Sequence, residues 1–214
     1  MYSIAEVESA LDAVIARPVQ SPKRLLAVAD LMTKMLAIEG LPGARGGGHG
    51  ELTIEGLARR KDWDVAYEFA GKFRLAISLK SMWKNAGGTV PNRLDDLMGE
   101  IANVQQLSPE IVSGYVILFD VQADSVRTED GLTWSRYFEQ RLQAISIRKA
   151  PMWNQGLLEG HWFVRFDGSS PSGGRLIDPR ETLRGGQRFV RAMLDELRRR
   201  EPAIPFHSPM STDL

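Results

Sequence analysis

Two alternating stretches separated by a short glycine-containing segment dominate the hydrophobic pattern of the chain. From Asp64 to Phe69, Val65, Tyr67 and Phe69 share one face of an extended strand and Asp64, Ala66 and Glu68 the other. From Phe73 to Lys80 the alternation resumes, with Phe73, Leu75, Ile77 and Leu79 opposite Arg74, Ala76, Ser78 and Lys80. The pair predicts a hairpin. A three-residue Ala70-Gly71-Lys72 loop with its glycine left-handed sets Phe69 against Phe73, Glu68 against Arg74, Ala66 against Ala76, Asp64 against Ser78 and Asp62 against Lys80.

Helical spacing brackets this hairpin. Ile4, Val7, Leu11, Val14 and Ile15 predict a helix over Ser3 to Ile15, with Ser3 as cap and Glu6 three residues on. A second helix is expected from Lys23 to Glu39, and a third from Pro91-Asn92 to about Gln106, its apolar stripe being Leu94, Leu97, Met98, Ile101 and Val104. The run from Tyr115 to Phe119 within Glu110 to Asp120 reads as a strand buried on both faces. Further on, Trp134 to Ile147 and Gln187 to Arg200 read as helices and Gly160 to Asp167 as a strand, with a turn at Asp178-Pro179-Arg180. Gly40 to Gly50 reads as a loop, Glu51 to Arg60 as a short helix or irregular segment, and Ser81 to Val90 as a loop. These elements predict one α/β domain with a mixed central sheet flanked by helices: a helical layer over residues 1–40, a core over 51–120 and an extended or mobile tail over 202–214.

Composition narrows the class. With 27 basic and 27 acidic residues, no global charge advertises nucleic acid, so any basic surface must come from segregation of charge. The absence of cysteine excludes disulfides, thiol catalysis and Cys-ligated zinc. No apolar run reaches membrane-spanning length and the first residues lack a signal-peptide pattern; the expectation is a soluble, cytoplasmic protein with no membrane partner. The glycine-rich loop lacks the Gly-Lys-Ser/Thr ending of a phosphate-binding P-loop.

Candidate chemistry gathers at the far end of the hairpin, where the register brings Asp62, Asp64, Ser78 and Lys80 together. Carboxylate and amine on an otherwise apolar sheet suit a hard cation and an activated water. Asp64 followed by Ser78-Leu79-Lys80, within the order helix, strand, strand, helix, strand, resembles the αββαβ core of the PD-(D/E)XK nucleases, the restriction-endonuclease-like superfamily. Ser78 stands where that family usually has an acid, and Trp63 where it often has proline.

The resemblance implies a Mg²⁺-dependent endodeoxyribonuclease, with Mn²⁺ as an alternative ion, acting on double-stranded DNA in restriction or phage defence, and a homodimer whose two sites meet both strands. It implies Asp64 as principal metal ligand, Lys80 as the residue that orients or deprotonates water, and Ser78 as a hydrogen-bonding neighbour. Glu100, with Asp96 behind it, is expected to supply the missing acid from the following helix, Glu100 being chosen for its reach and its neighbour Gly99. Asp62 is expected to pair with Lys80; Glu51 and Glu55 are auxiliary acids; Arg59, Arg60, Lys61, Lys84 and Asn85 are candidate DNA contacts. The alternative is a DNA-binding or assembly subunit that keeps the fold without the chemistry.

Overall fold

The alternating stretches build sheets in the computed structural model, which describes residues 2–49, 52–150 and 153–208. The described strands are β1 (Arg45–Gly46), β2 (Leu52–Ile54), β3 (Lys61–Trp63), β4 (Val65–Phe69), β5 (Lys72–Met82), β6 (Val112–Asp120) and β7 (Gly160–Phe166). The helices are α1 (Ile4–Ile15), α2 (Leu26–Ile38), α3 (Ala86–Leu107), α4 (Trp134–Ile145) and α5 (Pro179–Arg200). Five strands form one mixed sheet in the order β1-β4-β5-β6-β7; β4 is antiparallel to β1 and β5, while β5, β6 and β7 run parallel. β2 and β3 form a separate antiparallel ladder.

The period of two sorts the core into two layers. Leu75, Ile77 and Leu79 of β5, with Val112, Val116 and Leu118 of β6, pack against α1, α2 and α5. Ala76 of β5, with Tyr115, Ile117 and Phe119 of β6, packs against α3 and α4. Every residue of β6 is buried, as its unbroken apolar run requires of a central strand covered on both faces. Ser3 and Glu6 make the reciprocal capping box that starts α1. Among the described residues no helix is long and apolar enough to cross a membrane.

Several expectations give way to local chemistry. The hairpin turn is two residues, with Ala70 and Gly71 both left-handed, so Phe69 faces Lys72 and not Phe73. An irregularity at Tyr67 and Glu68 absorbs the offset and restores the expected Ala66–Ala76 pairing deeper in the ladder. Glu68 meets Phe73 and binds Arg45 at 2.8 Å instead of facing Arg74.

The expected glycine loop contains edge strand β1, because Arg45 and Gly46 pair with Ala66 and Val65. Residues 52–60 hold a strand rather than a helix, and Glu51 lies outside the described residues. α3 starts five residues before Pro91, capped by the left-handed Asn85, whose side chain accepts from Gly88 N–H. Asp178 and Pro179 open α5 as N-cap and first residue, where proline's missing N–H is harmless. Residues 202–208 dock: Ile204 is buried, Phe206 packs on the core and His207 N–H donates to Gly40 C=O at 2.9 Å.

Candidate active site

A break between two ladders creates the site. After pairing Val65 with Ile77, the chain bends at Asp64 and leaves the main sheet for the β2–β3 ladder. β5 continues to Met82 with β6 as its only strand partner there among the described residues, which leaves the outer edge of its C-terminal half without a ladder. Leu79 N–H would be an orphan donor on that edge; Asp64 Oδ2 accepts it at 2.7 Å. This fixes the carboxylate beside Lys80. Burial pushes the Asp64 carboxyl above its usual range, while the Leu79 N–H, Lys80 and Lys61 pull it back.

Ser21, Arg24, Asp64, Lys80, Ser81 and Arg93 line a cleft of about 300 Å³ at this open edge. Three cations thus face one carboxylate. Ser21 and Arg24 come from the connection between α1 and α2, and Arg93 from α3. On the α3 side of the sheet, Ser78 is only 1% exposed and sits level with Tyr115 of β6, and neither hydroxyl has a hydrogen-bond partner among the described residues. Burial pushes the Tyr115 phenol up.

Arg93, Asp96 and Glu100 recur at helical spacing along α3. Glu100 is gripped by Lys61, both side chains being mostly buried. Burial, then the charge of Lys80, push the Lys61 ammonium down to about 7, while Asp64 and Asp96 pull it back. Asp96 is exposed, makes no ion pair among the described residues, and lies close enough to act electrostatically on Lys61 and Tyr115.

The other anticipated residues divide. Asp62 does not pair with Lys80: its place in β3 sets it opposite Thr53, whose hydroxyl donates to it at 2.6 Å. Glu55 pairs with Arg60 at 2.6 Å, both exposed. Arg59 and Lys84 are exposed, whereas Lys61 is occupied by Glu100 and Asn85 by its helix cap. Asn103 bonds to Ala58 N–H and Arg59 C=O, which ties the basic segment to α3. Arg24 was not anticipated: a lone arginine ahead of an apolar helix carries no distinguishing pattern. Arg93 was legible, since it shares a helical face with Asp96 and Glu100.

No known family model, curated protein or solved structure matches the chain. Among the described residues no three of His, Cys, Asp and Glu converge to hold a metal ion. Mg²⁺ is commonly held by one or two carboxylates, with waters and substrate phosphates completing its shell. Asp64, which lines the cleft and keeps Oδ1 clear of the Leu79 bond, offers one such carboxylate.

Proposed function

We propose that the chain is a Mg²⁺-dependent endonuclease that hydrolyses phosphodiester bonds of double-stranded DNA, in restriction or phage defence. The observation that carries this reading is the half-buried Asp64 carboxylate fixed beside Lys80 at an open strand edge, in a cleft with two further cations. Such a cleft attracts a phosphate and holds a carboxylate where the phosphate's charge must be offset. Asp64 and Asp96 would hold the ion, which when bound neutralises phosphate charge and acidifies water. Lys80 orients the attacking water and stabilises charge on the phosphate as one P–O bond forms and the bond to the leaving oxygen breaks. Cutting both strands favours a homodimer with two-fold related sites.

Incubation with supercoiled plasmid and Mg²⁺ tests the reading. Asp64→Asn and Lys80→Ala should each lower cleavage by about a thousandfold or more, the scale of losing a transition-state charge contact. Undiminished cleavage by Asp64→Asn would sink the assignment.

A second reading, a DNA-binding subunit without catalysis, draws on Ser78 at the usual acid position and on Lys61 occupying Glu100. It predicts salt-dependent DNA binding with no Mg²⁺-dependent nicking.

A further inference from the structure

Arg24 is out of place as a structural residue. It is 5% exposed, yet its Nε and Nη1 are buried with no hydrogen-bond partner among the described residues, and it joins none of the ion pairs there. Burial pushes its guanidinium down, and no carboxylate opposes that push. A guanidinium does not shed its proton in a protein, so an uncompensated charge is held inside. Its one evident partner is Trp83, whose ring lies 4.0 Å from the guanidinium carbon. Trp83 is itself wedged edge-on against Phe166 at 4.8 Å. The cation–π contact holds the guanidinium against the ring and leaves its Nε and Nη1 donors without a partner among the described residues.

What surrounds Arg24 is suited to an anion. It lines the same cleft as Arg93 and Lys80, with the hydroxyl-bearing Ser21 and Ser81, and the three cations there outnumber the one carboxylate, Asp64. It also lies two residues before α2, whose N-cap Leu25 offers no side-chain acceptor and whose first turn has no acid. The helix therefore begins beside the cleft without an acidic side chain, its Leu26 and Val28 N–H groups taken by the Lys23 and Leu25 carbonyls.

We propose that Arg24, set over the Trp83 ring just ahead of α2, is the centre of a phosphate-binding subsite completed by Arg93 and Lys80. The subsite deepens the endonuclease reading, on which it rests for the identity of its natural ligand. The ligand chemistry is a phosphate oxyanion accepting in-plane N–H bonds, from either a terminal phosphate monoester or an internal phosphodiester.

The test is calorimetric titration of the whole chain with inorganic phosphate, without metal and at low ionic strength, with phosphate-dependent thermal stabilisation as a second readout. The wild-type chain should bind, and Arg24→Met, which keeps the apolar bulk against Trp83, should weaken binding by about tenfold or more. Arg24→Lys should recover only part of the loss, because a point charge lacks the planar fork. If Arg24→Met fails to fold, the partly exposed Arg93→Gln takes its place and should weaken phosphate binding measurably. Absence of phosphate binding by the wild-type chain, or unchanged binding in folded Arg24→Met, overturns the proposal.

Short oligonucleotides with a 5′-phosphate or a 5′-hydroxyl then identify the source. A preference of about tenfold for the phosphorylated end assigns a terminal monoester; equal binding, still dependent on Arg24, assigns the internal backbone. Because no metal or cleavage enters, phosphate binding without plasmid nicking would defeat the nuclease reading and leave the subsite standing. Nicking with no effect of Arg24→Met on phosphate binding would do the reverse.

Discussion

Two groups of buried charge lie at different places along the parallel strands, and they are built on different terms. At the N-terminal ends of β6 and β7, Glu159 Oε1 accepts from Arg148 at 2.8 Å and from Arg200 at 2.6 Å, while Oε2 accepts Ser113 N–H at 2.6 Å. Arg148 also donates to Ile111 C=O at 2.8 Å and Pro109 C=O at 2.5 Å, and Arg200 donates to Ile111 C=O at 3.0 Å and to Glu196 at 3.3 Å. Beside the C-terminal half of β5, by contrast, Arg24 forms no ion pair and Ser78, Tyr115 and Trp63 Nε1 have no hydrogen-bond partner among the described residues, and Asp64 is anchored to Leu79 N–H through one oxygen. The first group pairs its carboxylate and most of its guanidinium donors internally, leaving Arg148 Nε and Arg200 Nε without a partner among the described residues, and it ties four segments of chain together. The second keeps capacity for something the protein does not itself provide.

The same kind of substitution should therefore have opposite consequences at the two places. Glu159→Ala strands two arginines, with side chains 0% and 3% exposed, and removes the acceptor of Ser113 N–H. Loss of one partner from such a buried pair costs about 3–5 kcal/mol. Urea denaturation should show that loss in full, whatever the effect on DNA. Asp64→Asn should do the reverse: the amide oxygen can still accept from Leu79 N–H, and a charge whose burial is unfavourable disappears. Because the folded Asp64 pKa is raised, its ionisation costs stability as pH rises through that pKa, so at neutral pH the asparagine variant should be as stable as the parent or more so. A large destabilisation by Asp64→Asn would make it a structural residue like Glu159 and dissolve the contrast.

Within the second group, α3 offers a finer division. Glu100 is engaged by Lys61, whereas Asp96 is exposed and has no ion-pair partner among the described residues. Asp96→Asn should lower plasmid cleavage about a hundredfold, equivalent to roughly 2.7 kcal/mol of transition-state stabilisation, with little change in stability. Glu100→Gln should instead destabilise by about 1–2 kcal/mol, because it leaves the mostly buried Lys61 ammonium without its carboxylate, and should reduce cleavage less. The opposite ordering in cleavage would mean that Lys61 releases Glu100 when substrate binds, returning the second acid to the residue that reach alone favours.

Local pattern identified much of this architecture and little of the division within it. The period of two found β4, β5, β6 and β7 because each alternates or lies buried on both faces. The capping box located the start of α1 to the residue. Register put Asp64 opposite Ser78, one spacing from Lys80; an error at the hairpin turn is cancelled by the irregularity before Val65 meets Ile77, and Asp64 then turns out of the ladder to accept from Leu79 N–H. Asp62 was misplaced because the sequence gives no sign that the strand bends at Asp64 and changes ladder. Arg24 was missed for a different reason: its role depends on Trp83, Lys80 and Arg93, all more than 50 residues away in sequence. Nor could the choice of Lys61 between Asp96 and Glu100 be read from spacing, which places both acids on neighbouring turns of one helix.

The mildest expected effect concerns a third place, the outer edge of β7, and it tests whether burial of a titratable group without an opposite charge always marks capacity for a ligand. His161 lines a groove of about 310 Å³ between α4 and α5, and its Nδ1 lies 2.8 Å from Ser146 Oγ. Burial pushes the imidazole down to about 4 from an ordinary value near 6.5. Unlike Arg24, a histidine can meet burial by staying neutral, so no charge is left uncompensated. The unfolded chain takes up this proton as pH falls through about 6.5, while the folded chain resists until about 4; stability should fall across that window and level off below it. The limit for a shift of this size is about 3 kcal/mol, and partial exposure of the ring should reduce it to about 1–2 kcal/mol. Comparing urea midpoints at about pH 7.5 and pH 4.5, His161→Gln should lose less stability than the parent, since glutamine can still bond to Ser146 but has no proton to gain. Equal losses would mean that the folded protein protonates His161 with ease, and that the β7 groove is open enough to water to accommodate the charge.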